Sequence, residues 1–180
     1  MPPSTRSRRP ATPLNAAALE RLALRYVERF ATTRGKLAAY LNRKLAERGW
    51  DEEGAGEMPD TAALSARLAE LGYVDDRGFA DMTARSLARR GYGPRRVAAA
   101  LHAASIAPDD ATGAMEAARE DAWRAALALA RRRRIGPFAD AVADPPLRRR
   151  QLAMMIRAGH EPSLSHRIVT AAPGETLLDD

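Results

Sequence analysis

Arg89-Arg90-Gly91-Tyr92-Gly93-Pro94-Arg95-Arg96 puts the end of one helix and the start of the next inside a single octapeptide. Gly91 can take the left-handed conformation that closes a helix. Pro94 fixes the φ of a first helical turn and disfavours a helical Gly93, so the chain reverses within about three residues. Arg89 and Arg90 fall at a helix C-terminus, where the helix dipole favours cations. Arg95 and Arg96 fall in a first turn, where the same dipole opposes them by about 0.3–1 kcal/mol each. Free N–H groups beside guanidinium groups make an anion site. No acid lies between Asp81 and Asp109, so no sequence neighbour neutralises the corner. Exchange of Arg95 and Arg96 for Glu is therefore expected to spare folding and to weaken binding of an anionic partner.

The same helix grammar runs outward in both directions. Towards the N-terminus, Leu19, Leu22, Ala23, Tyr26, Val27 and Phe30 form an apolar stripe of helical period behind a capping Asn15. Leu37, Leu41 and Leu45 form a second stripe that begins after Thr33 and stops at Gly49. An acidic, glycine-containing loop from Asp51 to Pro59 leads to Asp60, the expected cap of a third helix that turns Leu64, Leu68 and Leu71 inward and closes at Gly72. Asp75 or Asp76 starts the next helix, with Phe79, Met82, Thr83 and Leu87 inward, and Pro94 opens another with Val97, Leu101 and Ala104 inward. A short helix is expected over 110–118, one over 121–133 with Trp123, Ala126, Leu127 and Ala130 inward, and one from Asp144 or Pro145 with Leu147, Met154, Met155 and Ile156 inward. The last runs from Pro162 to Thr170 on Leu164 and Ile168. No segment sustains a period of two, so the expected fold is all-α with about nine helices.

Three of these helices share one spacing. Leu41-x3-Leu45-x3-Gly49-Trp50, Val97-x3-Leu101-x3-Ser105-Ile106 and Gln151-x3-Met155-x3-Gly159-His160 recur at intervals of 56 and then 54 residues. A three-helix unit repeated three times follows, over 19–72, 73–120 and 121–170, stacked into an elongated, curved array. Residues 1–18, with Arg6, Arg8, Arg9, four prolines and no acid, read as a disordered basic arm, and 171–180 as a flexible tail.

Composition narrows the function. The 180 residues include 29 Lys+Arg against 23 Asp+Glu, a net charge of +6, with the excess at the two ends. Cysteine is absent, which removes disulfides, thiolate nucleophiles and Cys-bound metal. The longest uncharged run, Val97–Pro108, has twelve residues and falls short of the ~20 that span a bilayer. His102, His160 and His166 are the only histidines, and no His-Glu-x-x-His, Gly-x-Ser-x-Gly or phosphate-loop motif occurs. His160 and His166 without a third ligand make a poor zinc site. Asp75-Asp76 and Asp109-Asp110 sit at helix starts, where acids satisfy free N–H groups. The chain thus reads as a non-enzymatic protein with no cofactor and no metal.

The other basic groups are graded by geometry. Consecutive residues step about 100° around a helix, so Arg131–Arg134 cannot share one face and read mainly as helix-end solvation. Arg148, Arg149 and Arg150 repeat the Arg95-Arg96 arrangement near a helix start. Lys36, Arg43 and Lys44 lie on one polar stripe opposite the leucines. Such stripes suit a long anionic surface, either a phosphate backbone or an acidic protein groove.

Leu71-Gly72-Tyr73-Val74-Asp75-Asp76-Arg77-Gly78-Phe79-Ala80, followed by Arg85 and the Arg89–Val97 stretch, resembles the central signature of the RecX family of bacterial recombinase regulators. Gly72, Tyr73, Asp75, Asp76, Phe79, Gly91, Gly93 and Pro94 carry the motif. Flanking segments over about 19–170 resemble the family's first and last units. Ser105 departs from the pattern, standing where a helix-ending glycine is usual, as do Ala99 and Ala100, and the loop Gly54–Pro59 looks lengthened. The resemblance implies three tandem three-helix units in a cytoplasmic, monomeric protein that binds RecA filaments in their helical groove. It also implies restraint of recombination, ATP hydrolysis and the co-protease activity of the SOS response. Lys36, Arg43, Lys44, Arg85, Arg89, Arg90, Arg95, Arg96, Arg148 and Arg149 are the candidate contacts to filament or to DNA within the complex. Two alternatives stand beside it: a stand-alone DNA-binding module using the turn at Gly91 to Pro94, and a passive adaptor that needs only the apolar stripes.

Overall fold

Asn15 accepts a hydrogen bond from the Ala18 amide at 2.9 Å and starts helix α1, Ala16–Arg29. In the computed structural model, which describes residues 12–178, the chain is all-α, with no strand among those residues. Thr33 caps α2 (Arg34–Arg48), which ends at Gly49 with φ +78°. A single-turn helix α3 (Glu52–Ala55) interrupts the stretch expected to be a loop, and the Trp50 indole holds that stretch by donating to the Gly56 carbonyl at 2.8 Å. Asp60 caps α4 (Thr61–Glu70) through the Ala62 amide.

Then follow α5 (Asp76–Arg89), α6 (Pro94–Ala103), α7 (Pro108–Glu120) and α8 (Ala122–Arg133). A 3-10 turn (Gly136–Phe138) precedes α9 (Pro145–Arg157), which Asp144 caps, and α10 (Pro162–Thr170). The helix over 110–118 is longer than expected because Pro108 supplies its N1 position and the chain enters it from Ala107. Asp109 and Asp110 therefore lie inside the first turn rather than at the cap, and Asp110 pairs with Arg77 at 3.1 Å.

The chain divides into two compact units, residues 1–75 and 76–180. The first packs the three longer helices α1, α2 and α4, with the single turn α3 between the last two, around Leu14, Leu19, Ala23, Leu37, Leu41, Leu45, Leu68 and Val74. Each leucine fully removed from water there contributes about 1.5–3 kcal/mol. Leu14 is completely buried, its amide donating to the Gly49 carbonyl and its carbonyl accepting from the Asp51 amide. The span read as a basic arm thus contains a core leucine and the N-cap of α1. Met1–Ala11, with the arm's three arginines, lie outside the described residues, as do Asp179 and Asp180. The remainder of the expected flexible tail is held by Leu177 against the last core and by the Gly174 amide donating to the Pro137 carbonyl.

The second unit contains both later repeats, with one core between α5, α6 and α7 and another among α8, α9, α10 and the 3-10 turn. The recurrent spacing holds in three dimensions. Leu41, Val97 and Gln151 are buried, as are Leu45, Leu101 and Met155, and Gly49, Ser105 and Gly159 all have positive φ, at +78°, +54° and +95°. Several residues expected inside are outside: Phe30, Leu71, Met82, Leu147 and Ile156 are all exposed. Phe30 and Leu71 come just after the last helical residue, where the stripe has lost its backing. In α5 the close partner is α7, and Ala80 and Ala84 fill the inward face that Met82 was expected to share.

Candidate functional site: an arginine-rich helix corner

The turn Gly91-Tyr92-Gly93 is formed as the sequence requires, with Gly91 at φ +76° and Gly93 as the N-cap residue of α6. Its backbone, however, is not open to an anion. The Gly93 amide donates to the Ala158 carbonyl at 2.9 Å and the Arg95 amide to the Gly159 carbonyl at 3.2 Å, while the Arg96 amide is satisfied by Gly93. The corner between α5 and α6 is docked onto the corresponding corner between α9 and α10, two glycine turns back to back. A methyl group on Gly93 would come within 2.4 Å of the Gly159 carbonyl oxygen, and one on Gly159 within 2.4 Å of the Arg96 amide nitrogen. Gly91 also meets α8, less closely, since a Cβ there would lie 2.9 Å from the Leu129 nitrogen.

His160 completes the joint. It is fully buried, and its Nε2 donates to the Gly91 carbonyl at 3.0 Å. That bond fixes the neutral tautomer, leaving Nδ1 as a buried acceptor with no partner among the described residues. Burial depresses the pKa of the ring, partly offset by the Gly91 bond. In the repeat spacing His160 stands level with Trp50, which is half-buried, and Ile106, which is buried.

With the backbone engaged, the corner's chemistry lies in its side chains. Arg95 is neutralised from across the joint by Glu161 at 2.8 Å, a partner 66 residues away that sequence neighbours could not disclose. The guanidinium groups of Arg90 and Arg96 lie over the Tyr92 ring, 5.1 and 5.9 Å from its centroid. Such cation–aromatic contacts contribute about 0.5–1 kcal/mol when exposed. Arg132, at the end of α8, donates to the Arg90 carbonyl at 2.6 Å. Arg90, Arg96 and Arg132 are thereby gathered around Tyr92, with Arg89, Arg131 and Arg133 next to them in sequence. All six are exposed, and among the described residues no carboxylate pairs with any of them. Of the arginine run of α8, read mainly as helix-end solvation, Arg132 reaches the corner, whereas Arg131 lies over the Phe138 ring at 5.0 Å and Arg134 pairs with Asp140 at 3.2 Å.

The other candidates lie elsewhere. Arg85, one turn before Arg89, borders a groove of about 270 Å³ between α5 and α7, together with Asp81 and Asp121. Arg148 donates to the Ala143 carbonyl, and Arg149 and Arg150 share a shallow groove with Arg157. Eleven residue steps along α9 and its end, about 16 Å at 1.5 Å per residue, lead from Arg148 to Gly159, so this row is distinct from the corner. Lys36, Arg43 and Lys44 belong to the first unit. Arg43 and Lys44 both turn to Glu47, at 3.8 and 2.5 Å, and the Lys44 hydrogen bond lowers the Glu47 pKa. Of the motif residues, Tyr73 is exposed, while Asp76 is buried as the first residue of α5. No described helix is long and apolar enough to cross a membrane.

Comparison with known proteins agrees with this architecture. Residues 75–115, which contain the corner, match the family model for the second three-helix domain of RecX. The regulatory protein RecX of Myxococcus xanthus is 32% identical over 165 residues, covering 86% of each chain. Its namesake from Mycobacterium tuberculosis is 33% identical over 147 residues, 79% of this chain and 81% of the other. The crystal structure of RecX from Lactobacillus salivarius shares the fold with a TM-score of 0.62 at 16% identity, covering 85% of this chain and 93% of that one. The signature from Gly72 to Arg96, the three-helix repeat and this identity across most of the chain lead to one assignment: the chain belongs to the RecX family of regulatory proteins.

Proposed function

We propose that the protein is a non-enzymatic regulator that binds RecA-type recombinase filaments and restrains their recombination, ATP hydrolysis and co-protease activities. The observation that carries this reading is the cluster of Arg90, Arg96 and Arg132, with no carboxylate partner among the described residues, on a double-glycine joint whose Gly91 and Gly93 lie in the segment that matches the family's second domain. Planar guanidinium groups held in fixed directions suit carboxylates or phosphates in bidentate fashion. A nucleoprotein filament presents both kinds of anion along a groove.

The Gly91–Gly93 turn does not serve as a DNA-reading turn in this proposal, because its amides are committed to Ala158 and Gly159. Co-sedimentation with preformed RecA filaments on single-stranded DNA tests it, with naked DNA as control. Contacts to about six phosphates lose ~10³ in affinity between 50 and 200 mM salt. Filament binding should fall less steeply than naked-DNA binding over that range. Parallel loss of both would favour a protein that merely coats DNA.

A further inference from the structure

The first unit carries a surface feature that the arginine corner does not explain. Tyr26 and Tyr40 stack with ring centroids 4.2 Å apart and planes inclined by 21°, and Phe30 leans on Tyr26 at 5.3 Å. The inner rings pack against the first core, whereas Phe30 at the outer end is 51% exposed. Cations flank this short aromatic stack on both sides. Arg29 lies over the Phe30 ring at 5.7 Å, and Arg43 and Lys44 lie near the Tyr40 ring at 5.5 and 5.9 Å. Along α1, Arg21, Arg25 and Arg29 recur every four residues, about 6 Å apart along the axis, and all three are exposed. Among the described residues no carboxylate pairs with any of them. The neighbouring acids are Glu28, exposed on α1, Glu20, paired with Arg67, and Glu47, already shared by Arg43 and Lys44.

An exposed ring backed by two more, beside a row of unpaired guanidinium groups, has two complementary demands: a flat π-face and a regular line of negative charge. An acidic peptide satisfies the second and leaves the ring in water. Duplex DNA offers phosphates but keeps its base faces stacked inside. An unpaired nucleic-acid strand offers both. We infer that the Phe30–Tyr26–Tyr40 stack is a docking platform for single-stranded nucleic acid, with a base stacked on Phe30 and the adjoining phosphates on Arg25 and Arg29. This surface is separate from the arginine corner, and the inference does not depend on recombinase binding.

Fluorescence anisotropy of the full chain with a labelled twenty-residue oligothymidylate tests it, alongside a duplex and a poly-glutamate peptide. Phe30→Ala should weaken oligothymidylate binding by roughly tenfold, as expected for one lost base–aromatic stack. It should leave the duplex and the peptide unchanged. Phe30 is exposed, so the variant should keep its helical circular dichroism and melting temperature. Phe30→Trp should bind like wild type, with indole fluorescence quenched by the oligonucleotide. The inference is overturned if Phe30→Ala binds oligothymidylate as wild type does, if it loses oligonucleotide and duplex affinity alike, or if the tryptophan signal does not respond.

Discussion

His160 donates through Nε2 to the carbonyl oxygen of Gly91, 69 residues earlier, from a ring with no exposure to solvent. Together with the bonds from the Gly93 and Arg95 amides to Ala158 and Gly159, it joins the turns that end α5 and α9 and ties the second repeat to the third within one unit. Burial favours the neutral ring, because a proton on the opposite nitrogen, Nδ1, would find no acceptor among the described residues.

Stability of the second unit should consequently depend on pH. Burial holds the His160 pKa below the ordinary 6.5. The unfolded chain therefore binds the proton more readily than the folded one, and stability rises with pH across this range. The contribution is complete above about 6.5 and is lost as pH falls towards the depressed folded value. Urea unfolding at pH 7.5 and pH 5 should show it, and His160→Gln, whose side-chain amide can donate to Gly91 without titrating, should flatten the dependence. An equally steep loss in that variant would place the sensitivity elsewhere.

The glycine joint makes a sharper demand on packing. Gly93→Ala drives a methyl group to within 2.4 Å of the Gly159 oxygen, and Gly159→Ala adds a left-handed φ of +95° to a similar clash. Each should cost about 1–3 kcal/mol as overpacking of a rigid contact. Gly113→Ala, at a helical position with nothing within 4 Å of the new methyl, should instead stabilise by about 0.5–1 kcal/mol. Thermal melts of the three variants would separate the joint from helix propensity.

Much of this was legible beforehand and some was not, for a physical reason in each case. Helix ends are local, so Asn15, Asp60, Gly91, Pro94 and Asp144 announced theirs correctly. The recurrence of Leu45, Leu101 and Met155 is likewise written along the chain. The Gly93–Gly159 contact, the Arg95–Glu161 pair and the Arg132 bond to Arg90 join segments 42 to 66 residues apart, and no spacing rule reports them. For that reason the corner looked like an open anion cradle, when its amides are engaged and its free groups are guanidinium side chains.

Ser105 tests how far the repeat is optimised. It holds φ +54° where the equivalent positions have glycine, a conformation costing an L-residue roughly 1–2 kcal/mol. Ser105→Gly should raise stability by about 0.5–1 kcal/mol, the remainder being returned as backbone entropy of the unfolded chain. A denaturant midpoint unchanged or lowered would show that the serine is not strained.

Arg95 and Arg96, equivalent in sequence, should separate in experiment. Arg95→Glu sets a carboxylate against Glu161 and should lower stability by up to about 1 kcal/mol, the scale of exposed ion pairs. Arg96→Glu removes only a contact with Tyr92 and gains the helix dipole, so its melting temperature should match wild type within a degree or two. The expectation that both exchanges spare folding is therefore kept for Arg96 and revised for Arg95.

The arginine cluster around Tyr92 is tested most directly by co-sedimentation of an Arg90→Glu, Arg96→Glu double variant with RecA filaments on single-stranded DNA, at near-physiological salt and with folding verified by circular dichroism. Binding should fall at least tenfold relative to wild type while the helical signal is retained. Wild-type co-sedimentation by the folded double variant would contradict the assignment of filament binding to this corner.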